Sequence, residues 1–193
     1  CALPIYDAES AFELLPIGPG APRRIDTGLQ SLGTRVAWFP DSKRIVYSAR
    51  AKGGKSRTWI QSIDGRPQPL TAEGDSFVAL SPDGSTVLAK GSSGYVLYPS
   101  SGGASRPAAG LQAGDIVLGF VAGGKAVYVT PRTDRSRVSR LDLTSGAREF
   151  WKQLRIAEPA GVRDIQAVRI TPDGKSAAIE VFRRSEEHTS ELQ

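Results

Sequence analysis

The chain has 193 residues, 39% of them apolar, with 25 basic against 20 acidic side chains and an isoelectric point near 9.6. Its one Cys, at position 1, excludes an internal disulfide and any multi-cysteine metal centre. No apolar run approaches the roughly twenty residues that a membrane-spanning helix needs.

Residues 12–17 and 22–25, on either side of Gly18-Pro19-Gly20, read as a hairpin. Strands follow at 36–39 and 45–47, joined by Pro40-Asp41-Ser42, then a loop at 51–56, a strand at 59–63, Asp64-Gly65, and a strand at 67–71. The pattern repeats with strands at 76–81, 87–89 and 95–98 and a polar fourth after Ser101-Gly102-Gly103. It repeats again at 116–120, 126–129, 138–143 and 148–154, with a polar loop at 133–137. A last pair lies at 167–170 and 177–182. The spacing of Phe150, Trp151 and Leu154 also permits a short helical turn within 149–155.

The turns carry the repeat. Phe39-Pro40-Asp41-Ser42, Ser81-Pro82-Asp83-Gly84 and Thr171-Pro172-Asp173-Gly174 each separate two apolar runs. Pro40 and Pro82 are 42 residues apart, and the 90 from Pro82 to Pro172 leave room for a degenerate copy at Val121-Ala122-Gly123-Gly124. A period of about 40–50 residues with strands around tight turns is the signature of a β-propeller blade. The fold expected is therefore all-β, an incomplete β-propeller of four-stranded antiparallel blades. Outer strands of a preceding blade occupy 1–30, blades occupy 31–74, 75–111 and 112–160, and a truncated blade occupies 161–183. Phe77, Val78, Ala79 and Leu80 are apolar in succession, which predicts an inner strand buried on both faces.

Residues 184–193 resemble a sequencing-library adapter translated in frame, and the chain contains no Met, so a piece of a longer protein is expected. Setting those ten residues aside leaves 24 cations against 17 anions, +7 over residues 1–183, and no histidine, since His188 is the only one. Three blades and two partial ones cannot close a ring, so the chain expressed alone is expected to self-associate through unpaired sheet.

Without imidazole, Ser-His-Asp and Cys-His catalysis have no base. Gly53-Gly54-Lys55-Ser56 looks like the end of a phosphate loop, but Ala49 stands where its first Gly belongs and a strand follows, so it reads as a solvated hairpin loop. Asp41, Asp83 and Asp173 read as turn braces rather than calcium ligands. Trp38, Trp59 and Trp151 read as packing residues within strands. Of the 25 cations 18 are Arg, read as scattered over turns and outer strands with no run, which argues against a nucleic-acid face. No catalytic, cofactor-binding or metal-binding residue is assigned, and the fragment is expected not to be an enzyme. A protein or small-molecule ligand is expected at one mouth of the ring, on loops such as 51–56 and 133–137.

The Ser-Pro-Asp-Gly turn between apolar strands resembles the TolB-like, WD40-like (PD40) propeller repeat. Arg140-Leu141-Asp142-Leu143-Thr144-Ser145-Gly146, Glu149-Phe150-Trp151-Lys152, Pro159-Ala160-Gly161-Val162 and Ile170-Thr171-Pro172-Asp173-Gly174-Lys175-Ser176 come in an order similar to the last blades of propellers fused behind bacterial eukaryotic-like serine/threonine protein kinases. Ala37-Trp38-Phe39-Pro40-Asp41 and Leu97-Tyr98-Pro99 are similar to the same group. The resemblance departs at 177–181, which lacks that group's Tyr. It implies a sensor module attached to a kinase, on the extracytoplasmic side of a membrane-anchored protein. The kinase's own Gly-rich loop, His-Arg-Asp loop and Asp-Phe-Gly site are not in these residues. Two alternatives share the repeat: a TolB-like periplasmic protein-binding propeller, and the gating propeller of a serine oligopeptidase.

Overall fold

In the computed structural model, residues 4–7, 11–156 and 158–183 are described. The adapter-like residues 184–193 lie outside them. All regular structure among the described residues is β-strand, in five antiparallel sheets whose strands pair in chain order. The first sheet holds β1 (Pro4–Asp7), β2 (Ala11–Leu14) and β3 (Arg23–Asp26). The second holds β4 (Val36–Trp38), β5 (Arg44–Arg50), β6 (Ser56–Ser62) and β7 (Gln68–Pro69). The third holds β8 (Ser76–Leu80), β9 (Thr86–Gly91), β10 (Gly94–Pro99) and β11 (Arg106–Pro107). The fourth holds β12 (Asp115–Phe120), β13 (Ala126–Pro131), β14 (Arg137–Asp142) and β15 (Arg148–Gln153). The last pairs β16 (Val162–Ile170) with β17 (Ala177–Arg183). No helix among the described residues is long and apolar enough to cross a membrane.

There is no single core. Four apolar clusters each lie between one sheet and the next. Phe12, Leu14 and Ile25 pack on Ile45, Tyr47 and Trp59. Phe39 and Val46 meet Phe77 and Val87. Leu88, Tyr95 and Leu97 meet Val117, Val127 and Leu141. Tyr128 and Val138 meet Val168 and Ile170. Sheets stacked face to face, with the core divided among their interfaces, are the blades of a propeller. This is an open array of four-stranded antiparallel blades, the architecture expected from the repeat.

Stacking explains why the second strand of each blade is apolar at successive positions. In β5, Ile45, Tyr47 and Ala49 face the preceding sheet while Val46 faces the following one. In β13, Val127 and Val129 point one way and Tyr128 the other. Period-two alternation thus feeds two different cores. The expectation for the first strand holds in part. In β8 only Phe77 is buried, while Val78, Ala79 and Leu80 are half-buried. Both faces are packed, Phe77 and Leu80 in the core shared with the preceding sheet and Val78 and Ala79 against the one shared with the following sheet. But β8 also lines the axial groove, which leaves it less than fully covered. The helical alternative at 149–155 does not hold, because 148–153 is the extended strand β15, paired with β14.

The Pro-Asp turns are built alike. In the third sheet the Gly84 amide donates to Ser81 O at 2.9 Å, Ser81 Oγ donates to Asp83 at 2.5 Å, and Asp83 accepts the Ser85 amide at 3.0 Å. Thr171, Asp173 and Lys175 repeat this in the last sheet. Asp41 accepts the amides of Lys43 and Arg44 at 2.8 and 3.1 Å, with Ser42 at φ 55 where the others place Gly. At Val121-Ala122-Gly123-Gly124 no Asp braces the turn, yet the Gly124 amide still donates to Val121 O at 3.0 Å, and Gly123 and Gly124 both have positive φ. Two glycines free to enter the left-handed region take over from Pro-Asp.

Neighbouring turns touch. A Cβ on Gly84 would lie 2.8 Å from Pro40 Cδ, and one on Gly124 would lie 3.5 Å from Ser81 Cβ. The Ala122 amide donates to Pro172 O at 2.8 Å. The turns therefore gather at one end of the array. Strand alternation puts the loops after β5, β9 and β13 at the other end.

Candidate functional site: a basic axial groove

The first strands β4, β8, β12 and β16 contact one another in that order. Cavities of 450, 220 and 330 Å³ adjoin along them, and Arg35 and Val117 line all three. The groove has two parts. One sets apolar walls, Val36, Ala37, Ala79, Leu80 and Leu118, beside the guanidiniums of Arg35 and Arg169. The other carries Arg35, Lys90, Arg132 and Arg135, with Arg169 alongside.

Irregular strands help to hold these cations. The ladders of β8, β12 and β16 slip at Phe77/Ala79, Val117/Gly119 and Ile165/Ala167, so Val78, Leu118 and Gln166 are bulged residues. Arg35 Nη1 donates to Val78 O at 3.1 Å. Arg135 Nη1 donates to Ile165 O at 2.6 Å and Gln166 O at 2.8 Å. Carbonyls turned out of the ladder thus receive guanidinium hydrogen bonds from the neighbouring blade. Lys90 Nζ lies 4.7 Å from the centre of the Tyr95 ring.

Negative charge is scarce. Asp115 is the one carboxylate lining the three cavities. It is buried and engaged by Arg148, whose Nη1 and Nη2 reach its two oxygens at 2.9 and 2.6 Å, while the Gln112 amide donates to it at 2.8 Å. The pairing raises the Arg148 pKa, chiefly through that hydrogen bond. Arg135 reaches Asp164 only at 3.9 Å. Arg35, Lys90, Arg132 and Arg169 form no ion pair among the described residues. Arg35 is held below the ordinary guanidinium pKa, first by its position against the groove walls and second by the charge of Arg169.

Of the two loops expected to bind, 133–137 contributes Arg135 to the groove, and 51–56 does not line it. The 51–56 loop is a tight turn, closed by the Gly54 amide on Ala51 O at 3.0 Å, that feeds the strand β6 and not a helix. Trp59 is buried with Nε1 on Ala49 O at 3.1 Å, and Trp151 packs its ring 4.8 Å from that of Tyr128. Trp38 is half-buried against the first interface. Among the described residues no group of three or more His, Cys, Asp or Glu could hold a metal ion.

Arg35 and Arg169 were hidden in the view of arginine as scattered over turns and outer strands. Arg169 lies inside β16, the axial strand of its sheet, and Arg35 immediately precedes β4. The available signal was Arg169 between buried Val168 and Ile170, a cation within a strand of a blade's inner edge.

The arrangement is that of a propeller-type module with a basic axial groove. No protein-family model and no curated protein matches the chain. Among solved structures, it is similar to a protein assigned as a TolB of Agrobacterium tumefaciens, at TM-score 0.64 and 16% identity over 92% of this chain and 71% of that one. It is also similar to TolB from Acinetobacter baumannii, at TM-score 0.60 and 20% identity over 91% of this chain and 44% of that one. The likeness is one of fold: a TolB-like β-propeller, of which this chain spans under half the length of the second relative.

Proposed function

We propose that this chain is a non-catalytic binding module whose axial groove receives the ligand, and that it is the C-terminal sensor part of a bacterial serine/threonine protein kinase. The groove carries the first statement. It is a recess at the meeting point of four blades with convergent polar groups, the usual location of a ligand site between repeated elements. The residues in 140–176 that resemble kinase-fused propellers support the second. In this reading ligand occupancy on one side of a membrane is reported to a kinase domain elsewhere in the protein.

The likeness to two TolB structures favours a second reading, a periplasmic protein-binding propeller with no attached enzyme. The uninterrupted reading frame on both sides of residues 1–183 separates them. A kinase core upstream is the expected result. A secretory signal peptide followed only by propeller supports the TolB-like reading. A Gly-x-Ser-x-Gly hydrolase domain downstream would overturn both in favour of a gating propeller.

A further inference from the structure

We infer that the groove binds an extended peptide segment carrying carboxylate side chains, held at Arg35, Arg169 and the cations beside them. The inference rests on the binding-module reading above and specifies the partner's chemistry.

Three observations lead there. First, charge is unbalanced at one place. Arg35, Lys90, Arg132, Arg135 and Arg169 come from four segments of the chain to one groove, and its one lining carboxylate is already held by Arg148 at 2.6 Å. Among the described residues only Arg135 of the five has a carboxylate within reach, Asp164 at 3.9 Å. Like charges brought together with so little counter-charge raise the energy of the empty site, which falls when an anion enters. Second, Arg35 and Arg135 are pre-oriented by hydrogen bonds to bulge carbonyls of the neighbouring blade, so less side-chain entropy is lost on binding. Each guanidinium has further N–H groups to offer.

Third, the shape and lining suit a chain better than a small ion. The cavities adjoin along the inner strands, and in one of them the apolar side chains of Ala79, Leu80 and Leu118 stand beside Arg35 and Arg169. Inorganic phosphate on the arginines would leave those apolar side chains uncovered. A peptide in extended conformation presents carboxylates to the arginines and apolar side chains to these walls, since its side chains alternate.

The test uses the whole 193-residue chain, coupled at low density to a sensor surface through Cys1, its only thiol. The probes are a ten-residue peptide alternating Glu with Val or Ser, its counterpart with Gln for every Glu, and inorganic phosphate. Binding of the Glu peptide, at least about tenfold weaker for the Gln peptide, is expected from loss of charge-assisted hydrogen bonds. Arg35→Gln with Arg169→Gln should weaken Glu-peptide binding about tenfold or more. Arg66→Ala with Arg140→Ala removes the same charge from exposed outer positions and should change it by less than about twofold. Circular dichroism of each variant checks that its sheets persist, and Arg35→Lys with Arg169→Lys, which keeps the charge, should restore most of the binding.

No binding of the Glu peptide, equal binding of the Gln peptide, or equal loss in the outer pair overturns the inference. So does phosphate binding as tight as that of the peptide, which would make this a small-anion site. Tight binding of the Gln peptide would leave the binding module intact and remove only its acidic preference, so the two readings fail separately.

Discussion

The fourth sheet and the last sheet begin with similar chemistry and end with different burial. Both open on an axial strand with a bulge, turn tightly, and return on a second strand, β13 or β17. In β13 Val127, Tyr128, Val129 and Thr130 are all buried; in β17 no residue is. Ile179 and Val181 are half-buried and Phe182 is 57% exposed. The strands differ less in kind than in company. β13 has a sheet on each face, whereas β17 receives packing from Tyr128 and Val138 on one side only. Burial of a propeller strand is thus conferred by its neighbours, in proportion to how many there are.

Core truncation should expose that difference most strongly. Leu141 is fully buried between the third and fourth sheets, so Leu141→Ala should cost about 2–5 kcal/mol in urea unfolding. Ile179→Ala, at a half-buried site facing one neighbour, should cost less than about 1 kcal/mol. Equal losses would mean that the last sheet is as tightly packed as the fourth. The next largest effect concerns the joint between these sheets. Gly174 has φ +70, and a Cβ there would lie 2.6 Å from Tyr128 Oη and 3.1 Å from Trp151 Cζ2. Both rings belong to the fourth sheet and are packed on each other. Gly174→Ala should therefore cost about 2–3 kcal/mol, from backbone strain plus overpacking. Gly123→Ala, at φ +89 with nothing within 4 Å, should cost about 1 kcal/mol from backbone strain alone.

The same contrast decides what could be read from the sequence. The turns were legible because Pro-Asp-Gly constrains its own backbone: the Asp accepts amides two or three residues on, and Gly takes the positive φ. The second strands were legible because a run such as Ile45-Val46-Tyr47 is apolar at every position. What could not be read depends on distant residues meeting. Arg35 and Arg169 are 134 positions apart and become neighbours only when four inner strands converge. The Phe77-to-Leu80 run was legible only in part for a related reason: its two-sided packing follows from apolarity, but the groove beside it, which limits its burial, does not. Gln61 is a third case. Fully buried, it accepts from Tyr47 Oη at 2.6 Å and donates to Asp26 O and Gly65 O at 3.0 Å, tying the first two sheets together. Burial raises the Tyr47 pKa, keeping that hydroxyl protonated as the donor.

A smaller effect should sharpen the comparison at the sheet edge. β17 ends the last sheet, with its far edge unpaired among the described residues, and Phe182 is exposed beside it. Open edges with apolar neighbours recruit other strands, and a lysine there discourages it. Phe182→Lys should lower the sedimenting mass of the chain at a given concentration, whereas Phe150→Lys, on the outer strand β15, should lower it less. Equal effects at the two positions would place self-association elsewhere than on the last sheet.

The smallest effect tests where the two sheets should agree. Asp83 and Asp173 both lie in exposed turns, one between covered sheets and one in the last sheet. Hydrogen bonds from Ser81 Oγ and then from the Ser85 amide hold the Asp83 pKa down at about 2, against an ordinary value of 3.8. Asp173 is lowered in the same way by Thr171 and the Lys175 amide. A carboxylate whose pKa is depressed on folding stabilises the folded state above its unfolded pKa, and that contribution fades as pH falls through the folded value. The window for Asp83 is therefore pH about 4 down to about 2. Asp83→Asn should flatten the fall of melting temperature across that window relative to the parent chain, by a small amount because the group is exposed. Asp173→Asn should flatten it in the same direction, since turn bracing is local and does not need a covering sheet. An unchanged slope in Asp83→Asn would show that the serine and amide contacts do not distinguish the folded turn from the unfolded chain.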